Sequence, residues 1–169
     1  MNNTTENNSQ DPPNDYGDLQ AVVDIIIDNQ VGVPLYVQES VSDDPGPMWV
    51  NLYNQANEEV ALSPNCMPEN CADGTDFDCD EDLTPEAVQI ADGDFHIFPW
   101  DGIYYQEDTT EECTEVVELA DENFNVELCF SQGEQDGIID EPTTQCDMLP
   151  ETINPNQPAQ FGVVIEPEQ

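Results

Sequence analysis

The closely spaced acids of one cysteine-rich loop are the residues best suited to chemistry in this sequence. The loop runs Cys71-Ala-Asp-Gly-Thr-Asp-Phe-Asp-Cys-Asp-Glu-Asp82. Calcium takes about six to eight oxygen ligands, mainly from carboxylates and carbonyls. The candidate metal ligands are therefore Asp73, Asp76, Asp78, Asp80 and Asp82. EF-hand spacing fails, because a count from Asp76 puts Glu81 at the glycine position and Ala87 at the final glutamate. The loop is either a Ca²⁺ site of another kind or a solvated acidic loop.

The cysteines offer a second kind of chemistry. They are even in number and lie mainly in or beside loops, at Cys66, Cys71, Cys79, Cys113, Cys129 and Cys146. This usage predicts disulfides, although the spacing does not give their connectivity. Our one specific expectation is that Cys129, on the outer face of a strand, pairs with Cys146 in the following loop. A zinc site is the alternative, but Cys66-x4-Cys71 lacks the usual two-residue spacing and only His96 could add a nitrogen ligand.

His96 is the one histidine of the chain. On a β-strand its side chain shares a face with Phe98 and Trp100, opposite Phe95 and Ile97. An imidazole in that position could bind a metal or transfer a proton. We favour the other interpretation, a hydrogen-bonded histidine with a structural role.

The charge composition excludes several classes of function. The chain has 169 residues, of which 39 are Asp or Glu and none is Lys or Arg, giving a formal net charge of −39. Nucleic-acid binding and attraction to anionic lipids both need basic side chains, so neither is expected. A P-loop lysine, an arginine finger and a guanidinium clamp are excluded for the same reason. The expected partners are cations or basic protein surfaces.

Enzyme motifs are missing from the sequence. It contains no G-x-S-x-G, H-E-x-x-H or G-x-G-x-x-G. Carboxylates for glycoside hydrolysis are plentiful, yet nothing singles out two of them. We therefore predict a non-enzymatic protein that binds cations, with Ca²⁺ a candidate, or a positively charged partner. The alternative is a secreted proteinase inhibitor or a carboxylate-based hydrolase.

Short β-strands must position these residues. Alternation is clearest at Phe124, Val126, Leu128 and Phe130, with Asn125, Glu127 and Cys129 opposite. Further strands are predicted at 21–28, 33–41, 48–54, 58–62, 94–100, 103–106 and 161–165. In the first of them, Val23, Ile25 and Ile27 face one way, and Asp24 and Asp28 face the other. Asp101-Gly102 is typical of a hairpin turn, and 115–122 fits at most one helical turn.

This pattern predicts an all-β fold in a single domain. Residues 1–19 are expected to be a disordered acidic and polar tail or tether. Residues 20–169 are expected to form one β-sandwich, with the cysteine-rich loop at about 63–85 held by disulfides. The length is sufficient to bury a sizeable core.

Cysteine usage favours an extracytoplasmic location. No apolar run approaches the roughly 20 residues that span a bilayer, so direct membrane insertion is not expected. The first residues also lack the basic and apolar regions of a secretory signal. We expect a chain that starts after a removed export segment and is secreted or held at the outer surface by a lipid anchor upstream.

Several segments together carry a family resemblance: 22–29, Leu35-Tyr-Val37, Pro47-Met-Trp-Val50, the cluster Cys66, Cys71 and Cys79, Phe98-Pro-Trp-Asp-Gly102 and Phe124-Asn-Val-Glu-Leu-Cys-Phe130. Their order resembles immunoglobulin-like domains of secreted and lipid-anchored bacterial surface proteins. The W-D-G turn is also similar to one in BsuPI-like proteinase inhibitors, although Glu122-Asn-Phe124 stands where those have Gly-x-Tyr. The resemblance implies an immunoglobulin-like β-sandwich and carries over no catalytic residues.

Overall fold

The computed structural model describes residues 23–40, 49–64, 66–79, 84–118, 121–157 and 159–167. Within these ranges the chain forms thirteen β-strands and one 3₁₀ turn (Glu141–Thr143), with no α-helix. The strands are β1 (Val23–Asn29), β2 (Leu35–Ser40), β3 (Val50–Tyr53), β4 (Glu59–Val60), β5 (Glu86–Ile90), β6 (Phe95–Trp100), β7 (Ile103–Asp108), β8 (Cys113–Glu118), β9 (Asn125–Phe130), β10 (Glu134–Gln135), β11 (Ile138–Ile139), β12 (Gln145–Met148) and β13 (Ala159–Ile165). The predicted all-β fold is confirmed. The predicted tail, 1–19, lies outside the described residues, and the immunoglobulin-like arrangement stays a prediction.

The first strand lies at the centre of a three-stranded sheet. β1 pairs in parallel with β13 and antiparallel with β6. Its run of β-branched residues suits a strand with neighbours on both edges. All seven residues of β1 are buried, and these include Asp24 and Asp28 on the face opposite Val23, Ile25 and Ile27. The sequence predicts an apolar face and a face with two aspartates for this strand, and both faces are buried in the structure.

A four-stranded sheet, in the order β12-β9-β3-β4, holds the clearest alternation. Val126 and Leu128 of β9 are fully buried, whereas Asn125 and Glu127 are half-buried on the outer face. This confirms the predicted division of β9 into an inner and an outer face. Phe124 is also fully buried and forms a bridge with Ile153.

Two predictions about local structure are wrong. Asp101-Gly102 does not close a hairpin, because β6 pairs with β1 while β7 pairs with β8. The turn instead carries the chain from one sheet to another. The segment 115–122 is not a helical turn over its described residues, because β8 extends to Glu118 and pairs with β7 along its whole length. Pairing with β7 overrides the weak helical pattern.

The core contains large aromatic residues from several parts of the chain. Trp49, Trp100 and Phe124 are among the largest fully buried side chains. Phe124 forms T-shaped contacts with Trp100 and Tyr104, with ring centroids 5.5 and 5.2 Å away. Such edge-to-face pairs contribute beyond the area they bury. The core therefore links β6, β7 and the start of β9.

A buried amide holds the short β10–β11 hairpin in place. Gln38 donates from Nε2 to the carbonyl oxygens of Glu86 and Gly137, both at 3.0 Å. Its Oε1 accepts from the backbone N–H of Ile139 at 3.0 Å. Since a buried amide must be hydrogen-bonded to avoid a large desolvation cost, Gln38 fixes the position of the hairpin against β2 and β5.

Three disulfides join the six cysteines. The pairs are Cys66–Cys79, Cys71–Cys113 and Cys129–Cys146. The predicted Cys129–Cys146 pair is confirmed, although Cys146 lies on strand β12 directly opposite Cys129 rather than in a loop. Since disulfides persist in oxidising compartments, the three pairs indicate an extracytoplasmic environment. In the described part of the chain, no helix is long and apolar enough to cross a membrane.

Candidate functional site

The acidic loop predicted from the sequence is closed on itself by a disulfide and by backbone hydrogen bonds. Cys66 bonds to Cys79, and its N–H donates to the carbonyl of Asp78 at 3.2 Å. Within the loop, the N–H of Asn70 donates to the carbonyl of Thr75 at 2.9 Å, and Gly74 donates back to Asn70 at 2.8 Å. Residues 66–79, the acidic loop from here on, therefore have a defined backbone.

A second set of contacts fastens the acidic loop to strand β8. Cys71 bonds to Cys113, and Asn70 forms a parallel bridge with Thr114. The N–H of Cys71 donates to the carbonyl of Thr114 at 2.9 Å, and the N–H of Thr114 donates to the carbonyl of Glu69 at 2.8 Å. The Thr114 hydroxyl adds a bond to the Pro68 carbonyl at 2.8 Å. Thr114 is fully buried as a result.

An aromatic contact also seats the acidic loop on the β7–β8 hairpin. Phe77 meets Tyr105 edge to face, with ring centroids 5.9 Å apart. Phe77 lies between Asp76 and Asp78 in the sequence, so an apolar side chain in the middle of the acidic run packs against the hairpin. The flanking carboxylates stay exposed.

The predicted metal ligands fall into two groups. Asp73, Asp76 and Asp78 are exposed on the acidic loop, whereas Asp80 and Asp82 lie outside the described residues. Asp73 Oδ1 accepts from the N–H of Thr75 at 2.9 Å, and hydrogen bonds from Thr75 lower the pKa of the Asp73 carboxyl. In the part of the chain that the structure describes, these aspartates do not converge into a three-carboxylate cluster. Specific Ca²⁺ binding by the acidic loop stays a prediction.

More acids lie beside the acidic loop on the β7–β8 turn. Glu111 and Glu112 are exposed and immediately precede Cys113, which bonds to Cys71 of the loop. The Cys71–Cys113 disulfide has a Cα–Cα distance of 5.1 Å, so it brings Asp73 and this turn to the same region. These acids are about forty positions apart in the sequence, and the disulfide joins the two segments that carry them.

His96 is held in place by a hydrogen bond and by packing against an aromatic ring. Its Nε2 contacts Oε1 of Glu39, an oxygen that also accepts from the indole N–H of Trp49 at 3.0 Å. The His96 ring lies 5.3 Å from that of Trp49. The expected face is confirmed, because Phe98 of the same strand also contacts Trp49. Hydrogen bonding to Glu39 supports the structural interpretation of this histidine.

A polar cluster that the sequence did not single out lies on the outer face of β3, β9 and β12. Glu127 Oε2 accepts from Asn51 Nδ2 at 3.0 Å and from the Tyr53 hydroxyl at 3.2 Å. Burial, followed by the charge of Glu127 and its hydrogen bond, raises the pKa of Tyr53. The same carboxylate lies beside the Cys129–Cys146 disulfide. The sequence did hold a pattern that could have indicated this cluster, because β9 alternation places Glu127 and Cys129 on one face.

Glu127, Cys129 and Cys146 are the one set of three metal-ligand side chains that converge among the described residues, within 4.8 Å of one another. Both sulfurs belong to a disulfide, however, and the thiolate rather than the disulfide is the metal ligand. In the oxidised protein this cluster is therefore a hydrogen-bonded surface feature.

No protein-family model, no curated protein and no solved structure matches this chain.

Proposed function

We propose that the protein is a non-enzymatic, extracytoplasmic binding protein that uses the acidic loop and the adjoining β7–β8 turn to bind a positively charged protein surface. The observation that carries this proposal is the excess of exposed carboxylates without a basic partner. The chain has 39 acids against one histidine. In the described ranges, the only contact between a carboxylate and a side chain that can be cationic joins Glu39 to His96.

The rigidity of the acidic loop supports this function. Two disulfides, a β-bridge and the Phe77–Tyr105 contact hold its backbone before any partner arrives. A surface ordered in advance loses little conformational entropy on binding. Fixed charges of one sign also steer an oppositely charged partner and accelerate its association. Binding of this kind weakens with salt, because exposed charges are screened over roughly 10 Å at 0.1 M.

Calcium binding by the same loop is the second candidate function. Asp73, Asp76 and Asp78 are exposed on one disulfide-closed segment, and hard oxygen donors of this kind suit Ca²⁺. The loop's backbone is held by covalent and hydrogen bonds that need no metal, so a basic protein surface is the partner we favour. The run Asp73-Gly-Thr-Asp-Phe-Asp-Cys-Asp80 resembles a metal-binding repeat of bacterial surface proteins, which supports the calcium alternative.

An immunoglobulin-like sandwich that is secreted or lipid-anchored belongs to the same proposal. The order of strand segments supports the fold, and the three disulfides support the location.

Binding of a lysine- and arginine-rich peptide tests the proposal. The loop variant Asp73→Asn/Asp76→Asn/Asp78→Asn removes three acids from the acidic loop. A matched control, Glu141→Gln/Glu151→Gln/Glu166→Gln, removes three exposed acids elsewhere. Calorimetric titration at low salt should show a loss of about tenfold in affinity for the loop variant and less than about twofold for the control. Equal losses in both variants would refute the assignment to the acidic loop.

Two further measurements separate the alternatives. A rise in melting temperature at sub-millimolar Ca²⁺, absent in the loop variant and not reproduced by an equal ionic strength of NaCl, would favour the calcium function. Inhibition of a protease at micromolar protein would favour the inhibitor interpretation over the binding one.

A further inference from the structure

The outer face of β9 and β12 carries three potential metal-ligand side chains, two of which are joined to each other in a disulfide. The relevant atoms are one Glu127 carboxylate oxygen and the sulfurs of Cys129 and Cys146, all within 4.8 Å of one another. Cys129 and Cys146 are register partners on adjacent antiparallel strands, so their side chains share this face. Glu127 precedes Cys129 by two residues and lies on the same face. We propose that reduction of the Cys129–Cys146 disulfide creates a Zn²⁺ site from Glu127, Cys129 and Cys146.

Reduction changes the chemistry of the two sulfurs. A dithiol supplies two electrons, the Cys129–Cys146 bond breaks, and the sulfurs of the dithiol become joined to each other. Two protons reach the cysteine sulfurs, and Zn²⁺ then displaces both as the thiolates form. Before reduction the sulfurs offer no thiolate, so the oxidised protein lacks this site.

The distances suit tetrahedral zinc. With Zn–S near 2.3 Å and Zn–O near 2.1 Å, a sulfur and an oxygen on one zinc ion lie about 3.6 Å apart. Cys129 Sγ and Glu127 Oε2 are already 4.0 Å apart. Once the S–S bond is broken, the two sulfurs are free to separate to the roughly 3.8 Å that two thiolates adopt around zinc.

Two neighbouring side chains position the carboxylate. Asn51 and Tyr53 of β3 both donate to Glu127 Oε2, and Asn51 Nδ2 also lies 3.7 Å from Cys129 Sγ. Donors of this kind around a metal-bound carboxylate fix its orientation and raise affinity. Glu127 is thus held beside the sulfurs in the oxidised protein, before any metal is present.

The site is open on its solvent side. Cys146 is exposed on edge strand β12, so a reductant and a metal ion can both reach the disulfide. Three protein ligands leave the fourth tetrahedral position to water. The negative charge of the chain also favours uptake of a divalent cation. This proposal is independent of the function proposed for the acidic loop, which lies between β4 and β5 and is bonded to β8.

A zinc titration of the full chain tests the proposal. The protein is reduced with a phosphine, which does not chelate zinc as a dithiol does, and titrated with ZnCl₂ against a chromophoric chelator. The reduced wild-type chain should bind one more zinc ion than reduced Cys129→Ser/Cys146→Ser. Glu127→Gln should weaken binding at that ion at least about tenfold, while Glu141→Gln, an exposed acid elsewhere, should leave it unchanged.

Alkylation adds a readout that resolves individual residues. Zinc should protect Cys129 and Cys146 from iodoacetamide in the wild-type chain more strongly than Cys66 and Cys79, and this difference should shrink in Glu127→Gln. The peptides are released with a Glu-specific protease, since the chain has no Lys or Arg for trypsin. Equal protection of both pairs overturns the proposal. An unchanged zinc affinity in Glu127→Gln, or a reduced chain that unfolds and is not refolded by zinc, also overturns it.

Discussion

Glu39 and His96 contact each other although their strands belong to different sheets. Glu39 lies on β2, which pairs with β5, and His96 lies on β6, which pairs with β1. The oxygen of Glu39 that meets the imidazole also accepts from the Trp49 indole at 3.0 Å. One carboxylate therefore ties β2, β6 and the residue before β3 together.

Loss of this carboxylate should destabilise the fold. Glu39→Ala leaves the N–H of the fully buried Trp49 without its acceptor, and we expect the free energy of unfolding in urea to fall by about 1–3 kcal/mol. Glu39→Gln keeps an oxygen that can accept the indole hydrogen bond, so its loss should be smaller. Equal losses for the two variants would contradict this role of the hydrogen bond.

The Cys71–Cys113 disulfide should contribute more stability than the Cys66–Cys79 disulfide, which closes a shorter loop. The two span 42 and 13 residues, and longer closed loops restrict the unfolded chain more. We expect Cys71→Ala/Cys113→Ala to cost about 4 kcal/mol and Cys66→Ala/Cys79→Ala about 3 kcal/mol. Hydrogen exchange tests whether each disulfide acts locally. Only loss of the Cys71–Cys113 disulfide should strongly speed exchange of the Thr114 amide.

Salt and mild acid should both stabilise the protein. Carboxylate repulsion in a chain of formal charge −39 is relieved by screening and by protonation. We expect the melting temperature at low salt to rise as the pH falls from 7 to about 4–5, and this gain to shrink in 1 M NaCl. The lowered pKa of Asp73 acts in the opposite direction only at still lower pH, since its stabilising contribution is present above the ordinary value and is lost as the pH falls through the lowered pKa. Unfolding in mild acid at low salt would show that bonds needing ionised carboxylates outweigh the repulsion.

Alkaline pH should destabilise the protein through three tyrosines. Burial is the largest cause that raises the pKa of Tyr53, Tyr104 and Tyr105. The second cause is the charge of a nearby acid, which is Glu127 for Tyr53, Glu122 for Tyr104 and Asp101 for Tyr105. The unfolded chain ionises first, near pH 10, so stability present below that pH is lost as the pH rises through the raised values. Absorbance titration of the phenolates should show late ionisation in the folded protein and ordinary ionisation in urea. Glu122→Gln should lower the pKa of Tyr104 alone.

Two glycines with similar positive φ angles should differ in their tolerance of a side chain. Gly137 has φ +81°, and a Cβ there would lie 2.4 Å from the carbonyl oxygen of Pro85. Gly32 has φ +89°, and nothing lies within 4 Å of its Cβ position. Gly32→Ala should cost about 1–2 kcal/mol from backbone strain alone, and Gly137→Ala should cost clearly more. Similar unfolding free energies for the two variants would show that the β10–β11 hairpin shifts to admit the methyl group.

The outer-face cluster shows how far the sequence leads toward a site. Alternation on β9 places Glu127 and Cys129 on one face, which led us to expect the pair with Cys146 that the structure confirms. The donors Asn51 and Tyr53 come from β3, which pairs with β9 across a long stretch of sequence. No local pattern records that register, because it depends on which strands meet.

The sequence by itself determined the charge and indicated disulfides and most strand positions, because composition and period-two alternation are local properties of the chain. Only the tertiary structure decided that β6 and β7 enter different sheets after Asp101-Gly102, that β8 is a strand, and that Glu39 meets His96. A turn dipeptide specifies the bend of the backbone but not the partner of the next strand. That partner is selected by the packing of buried side chains from distant segments, and such packing exists only once the chain has folded.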